Sequence, residues 1–180
     1  AVDFVPLTAT DRFEAVQQGR VDLSCGTDTP TLERRTLVDF SIPIFIAGTG
    51  ALLRADADRH LLDAMEDRTA PTQPVWRGAP GVFSANVVFA AVGGTTIEKS
   101  LIDGLRMRRI VVTVARVPDY AAGVQMVRER RAVALFGDRP VLLDAAKRGP
   151  ADELRVLERR FTREPLALAL RRGDDTFRLL

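Results

Sequence analysis

The sequence predicts an α/β protein in which strands of open sheets alternate with helices. Along most of the chain, apolar stretches of strand length alternate with segments whose apolar residues recur every three or four positions. Hydrophobic residues make up 46% of the 180 residues, which is enough to fill the core of one large domain or two small lobes. Ligands of open α/β sheets bind in loops beyond the carboxyl ends of strands, so we expect functional residues there.

The first part of the chain is predicted to run strand, helix, strand, loop, helix. Asp11 with Glu14 three residues later is a helix-start signal, and Gly19 ends that helix. The expected elements are a buried strand over 2–7, a helix over 11–19, a strand over 21–24, a turn over 26–30 and a short helix beginning at 31.

Residues 55–80 interrupt this alternation with a charged stretch and then closely spaced prolines, so we expect an irregular excursion there. Regular alternation resumes afterwards. The expected elements are strands over 86–92, 110–115, 132–136, 154–159 and 166–171, and helices over 96–106, 118–130 and 138–147.

The charge balance and the rare residue types exclude several classes of function. A net charge of +2 gives no strong field to recruit nucleic acid or an anionic membrane, and no apolar run approaches the roughly 20 residues of a membrane span. Cys25 is the only cysteine, which excludes an internal disulfide and a cysteine cluster for a metal. His60 is the only histidine, lies in a charged stretch and is expected at the surface. We therefore expect no metal, no cofactor and no catalytic residue.

Three segments, in order, carry a family resemblance. The first runs from Gly26 through Arg34 to Phe45, the second is the turn Gly94-Thr95-Thr96, and the third is 131–138, with 164–174 as a further match. Together they resemble the periplasmic amino-acid-binding proteins of ABC transporters, solute-binding protein family 3. The glutamate/aspartate-type binders are the closest subgroup, because Cys25-Gly26 precedes the threonines and Arg12 opens the preceding helix.

The resemblance implies a periplasmic-binding-protein-like fold of two α/β lobes joined by crossing strands. Residues 1–46 and 172–180 would form a partial lobe one, and 47–171 would form lobe two with the connecting strands. Members of the family have a further strand before the equivalent of Val2 and further helices after that of Leu180. An incomplete first lobe would expose a sheet edge, so we expect a homodimer or a strand-exchanged, domain-swapped oligomer. No signal peptide is evident, so any export signal is expected outside this sequence.

The resemblance also assigns ligand-binding roles. Arg34 would grip the α-carboxylate of an acidic or polar amino acid, with hydrogen bonds from Thr27 and Thr29, and Asp138 would hold the α-ammonium group. Arg12 falls where acidic-ligand binders place a second arginine. The chemistry is sound, because a planar guanidinium offers a carboxylate a two-pronged donor and a zwitterion needs both signs of charge.

Structural alternatives stand beside these roles. Thr95 lies in a turn at a helix N-terminus, which attracts anions, but it is equally suited to be an ordinary helix cap. Asp138 is also a candidate cap, and Arg12 and Arg34 are candidates for solvated helix faces. Tyr120 departs from the family, since its position often carries a ligand-contacting histidine.

The function that this implies is extracytoplasmic capture of an amino acid, with delivery to the membrane subunits of an ABC transporter and no bond made or broken. Three alternatives remain open: a ligand-binding sensor domain of a membrane receptor, a dehydratase or lyase on the same fold, and a truncated remnant without an intact ligand site. The enzyme is disfavoured because no histidine or paired carboxylate is placed for acid–base work.

Overall fold

The computed structural model describes residues 2–66, 87–150 and 152–178. The strands are, in chain order, β1 (Leu23–Ser24), β2 (Asp39–Phe40), β3 (Phe45–Ala47), β4 (Thr49–Arg54), β5 (Val88–Val92), β6 (Thr113–Val117), β7 (Ala134–Asp138), β8 (Leu154–Val156), β9 (Glu164–Leu166) and β10 (Ala169–Leu170). The α-helices are α1 (Arg12–Gln17), α2 (Arg59–Glu66), α3 (Thr96–Met107), α4 (Tyr120–Arg128), α5 (Arg139–Lys147) and α6 (Asp175–Arg178), and a 3₁₀-helix covers Arg34–Thr36.

The chain divides into two compact units: unit 1 is Ala1–Gly48 with Thr162–Leu180, and unit 2 is Thr49–Phe161. The sequence predicted a connecting strand over 165–171 and grouped it with lobe two. Those residues belong to unit 1, because β10 pairs antiparallel with both β1 and β2, and β9 pairs antiparallel with β3.

Unit 1 is built on very short strands in a three-stranded sheet of order β1-β10-β2 and a two-stranded sheet of β3 with β9. Val16 of α1 packs with Val38, Phe40, Ala167 and Ala169 to form its core. Phe13 and Val21 pack against this cluster. The core therefore fixes α1 and the segment around the 3₁₀-helix, which together carry Arg12 and Arg34.

Two predictions for unit 1 were wrong in detail. Residues 2–7 form no strand, and none of the described strands pairs with them; Val2 and Phe4 are 78% and 83% exposed. An extended segment without a pairing edge leaves its backbone to solvent, so apolar composition alone does not make it a strand. The helix expected from residue 31 shortens to the 3₁₀-turn Arg34–Thr36.

Helix α1 begins directly after Asp11, as predicted, but the Asp11 side chain does not cap it. Asp11 makes no side-chain cap on α1 and instead closes a turn, accepting hydrogen bonds from the N–H and the hydroxyl of Thr8 at 2.7 and 2.8 Å. These two bonds lower the pKa of the Asp11 carboxyl. Association between copies of the chain stays a prediction.

Unit 2 holds a five-stranded mixed sheet of order β6-β5-β7-β4-β8. β6, β5 and β7 are parallel, and β4 is antiparallel to β7 and β8. Phe89, Phe136 and Phe161 stack edge to face at centroid distances of 5.1 and 5.3 Å and join the apolar cluster on this sheet. The α/β class with mixed sheets agrees with the sequence, and β7 ends at Asp138.

Several helices and strands of unit 2 begin or end at other residues than the sequence predicted. Arg59–Glu66 is helical, not irregular, because Leu61 and Met65 lie on one face and join the core. The rest of the expected excursion, 67–80, lies outside the described residues. β6 begins at Thr113, three residues later than expected, because the N–H of Ile110 still bonds the carbonyl of Leu105 at the end of α3. β8 stops at Val156.

Candidate functional site

Arg34 is a buried cation in unit 1 whose donors are mostly unused. Arg34 is only 9% exposed, and its guanidinium carbon lies 4.9 Å from the ring centroid of Phe13. Among the described residues its guanidinium makes one hydrogen bond, from Nη1 to the carbonyl of Thr29 at 3.0 Å. A guanidinium has five N–H donors, so this arginine retains the capacity to bind a carboxylate with two prongs.

The environment of Arg34 disfavours its charge. Burial lowers the pKa of the Arg34 guanidinium, and the positive charge of Arg12 lowers it further, while Asp28 and Glu164 act in the opposite direction. An arginine remains protonated in spite of such a shift. An anionic ligand at Arg34 would therefore relieve an unfavourable charge as well as fill its donors.

Arg12, predicted as a second ligand-binding arginine, is paired with a carboxylate inside unit 1, and its contact with a ligand stays a prediction. Its Nε lies 2.5 Å from Oδ1 of Asp28, and the two side chains are 12% and 0% exposed. The Arg12 N–H is not directed along this contact, so the pair is an ion pair and not a directed hydrogen bond. The Ser24 hydroxyl donates to Oδ2 of the same carboxylate at 2.6 Å.

The two predicted threonines differ in their surroundings. Thr27 is exposed on the loop, whereas Thr29 is half-buried and its hydroxyl donates to Oε2 of Glu164 at 2.8 Å. The Thr162 hydroxyl donates to Oε1 of the same glutamate at 2.9 Å. Unit 1 therefore brings together Arg12, Arg34 and Thr29 of the predicted set.

Sequence reasoning missed Asp28 and Glu164 in this cluster. Asp28 lies between Thr27 and Thr29, so its place in the loop could have indicated a role in the site. Its partner Arg12 lies on another element, and Glu164 is 135 residues from Thr29, so no local pattern joins them.

Asp138 in unit 2 is buried and accepts a hydrogen bond from a tyrosine. It is 6% exposed at the end of β7, and its Oδ2 accepts a hydrogen bond from the Tyr120 hydroxyl at 3.0 Å. The same hydroxyl oxygen accepts from the backbone N–H of Asp138 at 3.0 Å. The aspartate occupies the N-cap position of α5 but makes no side-chain cap bond. Its carboxylate is thus directed to Tyr120 and not to the helix.

Tyr120 reaches this position because residue 137 is glycine. A Cβ at Gly137 would overlap Cε1 of the tyrosine ring and lie 3.1 Å from Cδ2 of Leu142. The ring therefore packs against bare backbone one residue before Asp138.

Thr95 acts as a helix cap in unit 2. Its hydroxyl donates to the carbonyl of Val92 at 2.7 Å and accepts from the N–H of Glu98 at 3.1 Å. Glu98, only 6% exposed, accepts from the Gly94 N–H at 2.9 Å and from Nε of Arg116 at 2.6 Å. A direct contact from Thr95 to a ligand stays a prediction, and it would require the hydroxyl to exchange its bond to Val92.

Two further kinds of feature concern the described ranges 2–66, 87–150 and 152–178. They contain no group of three or more side chains suited to hold a metal ion. Within the same ranges, no helix has both the length and the apolar character to cross a membrane. The cluster in unit 1 and the Asp138–Tyr120 pair in unit 2 are accordingly the candidate ligand-binding groups.

Two curated relatives of this chain are both named as binding proteins for glutamate and aspartate. The chain is 28% identical over 173 residues to an L-glutamate/L-aspartate-binding protein of Pseudomonas aeruginosa, covering 96% of this chain and 51% of the relative. It is 23% identical over 180 residues to a glutamate/aspartate import solute-binding protein of Escherichia coli, covering 99% and 53%. The chain thus spans about half the length of these two relatives.

Solved structures show the same fold. An ancestral amino acid-binding protein, described as a precursor of cyclohexadienyl dehydratase, superposes with a TM-score of 0.76 at 27% identity, covering 98% of this chain and 66% of that one. An ancestral arginine-binding protein bound to arginine gives 0.77 at 22% identity, covering 98% and 70%. The family model for bacterial extracellular solute-binding proteins, family 3, matches residues 1–179. The chain belongs to this family.

Proposed function

We propose that this chain captures an amino acid outside the cytoplasm for an ABC-type uptake transporter. The observation that carries the proposal is Arg34, a residue only 9% exposed whose guanidinium makes one hydrogen bond among the described residues. A buried cation needs a partner, and a two-pronged donor in a buried setting suits a carboxylate. The E. coli relative is named as an import solute-binding protein, which supports transport as the role.

The proposal assigns a role to the charged side chains of each unit by itself. Arg34 holds the α-carboxylate, with Thr27 and Thr29 on the same loop as further donors. Asp138 of unit 2 holds the α-ammonium group, because its carboxylate is buried, supported by Tyr120 and not spent on capping α5.

Binding without chemistry is part of the proposal. The candidate groups are an arginine, threonines and one aspartate, which lack an activated nucleophile or a pair of acid and base. The relative described as a dehydratase precursor is itself named an amino acid-binding protein. The family and the name of the E. coli relative support delivery to a transporter.

The test is isothermal titration calorimetry of the purified protein with a panel of neutral, basic and acidic amino acids, repeated on two variants. Arg34→Gln removes the guanidinium, and we expect a loss of about 2–5 kcal/mol, roughly 30-fold or more in affinity. Arg35→Gln is the matched control, because Arg35 is the exposed neighbour on the same 3₁₀-turn. Equal affinity of wild type and Arg34→Gln, or no binding of any amino acid, would refute the proposal.

A further inference from the structure

Asp28 is a fully buried carboxylate beside Arg34 that the proposed function does not use. Its two carboxylate oxygens contact Arg12 Nε at 2.5 Å and the Ser24 hydroxyl at 2.6 Å. Its backbone carbonyl accepts from the N–H of Ala167 at 3.0 Å. Both the side chain and the backbone of Asp28 are therefore fixed within unit 1.

Arg12 and Arg34 lie on the same aromatic ring. Their guanidinium carbons are 4.8 and 4.9 Å from the centroid of Phe13. Two guanidinium groups this close to one ring would on their own attract two carboxylates, as a dicarboxylic amino acid offers. Asp28 changes that balance, because it neutralises Arg12 from inside the protein.

We infer that Asp28 makes the site selective for amino acids whose side chain carries no negative charge, and against glutamate and aspartate. This inference rests on the proposed function, since it concerns the ligand of the same site. Arg34 takes the α-carboxylate, and Arg12, held by Asp28, offers no net positive charge to a second carboxylate. The ligand class is thus a neutral or basic amino acid.

Arg12 does not pair with the Asp28 carboxylate and a ligand carboxylate at the same time. A ligand that drew Arg12 away would leave Asp28 charged, 0% exposed and without its counter-ion, which is strongly unfavourable. A ligand carboxylate bound beside the intact pair would meet the charge of Asp28 as well as that of Arg12. Discrimination by an opposing charge is an effective route to specificity, because the unwanted ligand is destabilised directly.

Calorimetry on the wild-type protein tests the inference first. We expect glutamine, asparagine, arginine or lysine to give the tightest binding, with glutamate and aspartate weaker by about tenfold or more. An acidic amino acid as the tightest ligand would overturn the inference and leave the proposed function standing. Absence of binding to every amino acid would overturn both.

The Asp28→Asn variant tests whether the negative charge of Asp28 causes the selectivity. It keeps the shape of the side chain and an acceptor for Ser24 but frees the charge of Arg12, so the affinity for glutamate relative to the best neutral ligand should rise about tenfold or more. Asp22→Asn is the control, since it makes the same charge change at an exposed residue of unit 1, and it should leave that ratio unchanged. An unchanged ratio in Asp28→Asn overturns the inference.

A second variant changes the charge of the pair in the opposite direction. Arg12→Gln removes the cation and leaves Asp28 negative, so the ratio should shift further against glutamate. Melting curves of each variant establish that the protein is folded before titration. A ratio that moves toward glutamate in Arg12→Gln contradicts the inference.

Discussion

Unit 1 and unit 2 hold their candidate binding groups by different means. In unit 1 the strands are two or three residues long, and the polar side chains are fixed by one another across long stretches of sequence, as Arg12 is by Asp28 and Thr29 by Glu164. In unit 2 Asp138 ends a strand that pairs with β4 on one side and β5 on the other. The first site depends on charge pairing and the second on the sheet.

The difference predicts how each unit responds to substitution. Removal of a charge in unit 1 leaves its partner buried and unpaired, so stability and site geometry fall together. In unit 2 the sheet persists when a side chain near Asp138 is changed, so the direction of the carboxylate changes more than the fold. Three variants, taken from the largest expected effect to the smallest, test this contrast.

Asp28→Ala in unit 1 should have the largest effect. It leaves Arg12 mostly buried without its counter-ion, and we expect a loss of about 3–5 kcal/mol in the free energy of unfolding, measured by urea denaturation. The double variant Arg12→Met with Asp28→Leu should recover most of this loss, because it removes both charges together. A loss below about 1 kcal/mol in Asp28→Ala would show that the pair does not organise unit 1.

Much of the fold followed from the sequence because regular elements leave local patterns. The alternation after residue 87 predicted strands and helices close to β5, α3, α4, β7 and α5, and the family resemblance was confirmed. The failures were non-local. Residues 2–7 have the composition of a strand but no partner edge among the described strands, and the apolar face of α2 was hidden by the charged residues around it.

The site was only partly predictable for the same reason. Arg34 and Asp138 stood out because the motif around each is contiguous. The ion pair between Arg12 and Asp28 was invisible, since it joins a helix to a loop, and sequence alone therefore assigned Arg12 to a ligand. The role of Tyr120 was invisible too, because its hydroxyl reaches Asp138 from 18 residues away through the space left by Gly137.

Tyr120→Phe in unit 2 should have the second-largest effect of the three variants. It removes the hydroxyl that donates to the Asp138 carboxylate and accepts from its N–H, and we expect a loss of about 1.5–3 kcal/mol in the free energy of ligand binding. The thermal melting point should change little, since the ring still fills its place. Thr113→Val, which removes an exposed hydroxyl from β6, is the control and should bind normally. Normal affinity in Tyr120→Phe would mean that the sheet alone positions Asp138.

Gly137→Ala tests the packing beneath that tyrosine. The added methyl group would overlap the Tyr120 ring and crowd Leu142, so we expect a loss of about 1–3 kcal/mol in the free energy of unfolding. Gly104→Ala is the matched control in α3, where the nearest atom is the flexible end of Arg108 at 3.3 Å. It should stabilise the protein by about 0.5–1 kcal/mol through helix propensity.

Ligand affinity distinguishes two origins of the effect in Gly137→Ala. If the ring shifts and carries its hydroxyl away from Asp138, affinity falls along with stability. If the strand itself moves to admit the methyl group, the bonds between Tyr120 and Asp138 persist and only stability is lost. The first result would place the control of the unit 2 carboxylate in the tyrosine, and the second would place it in β7, whose rigidity is what distinguishes this unit from unit 1.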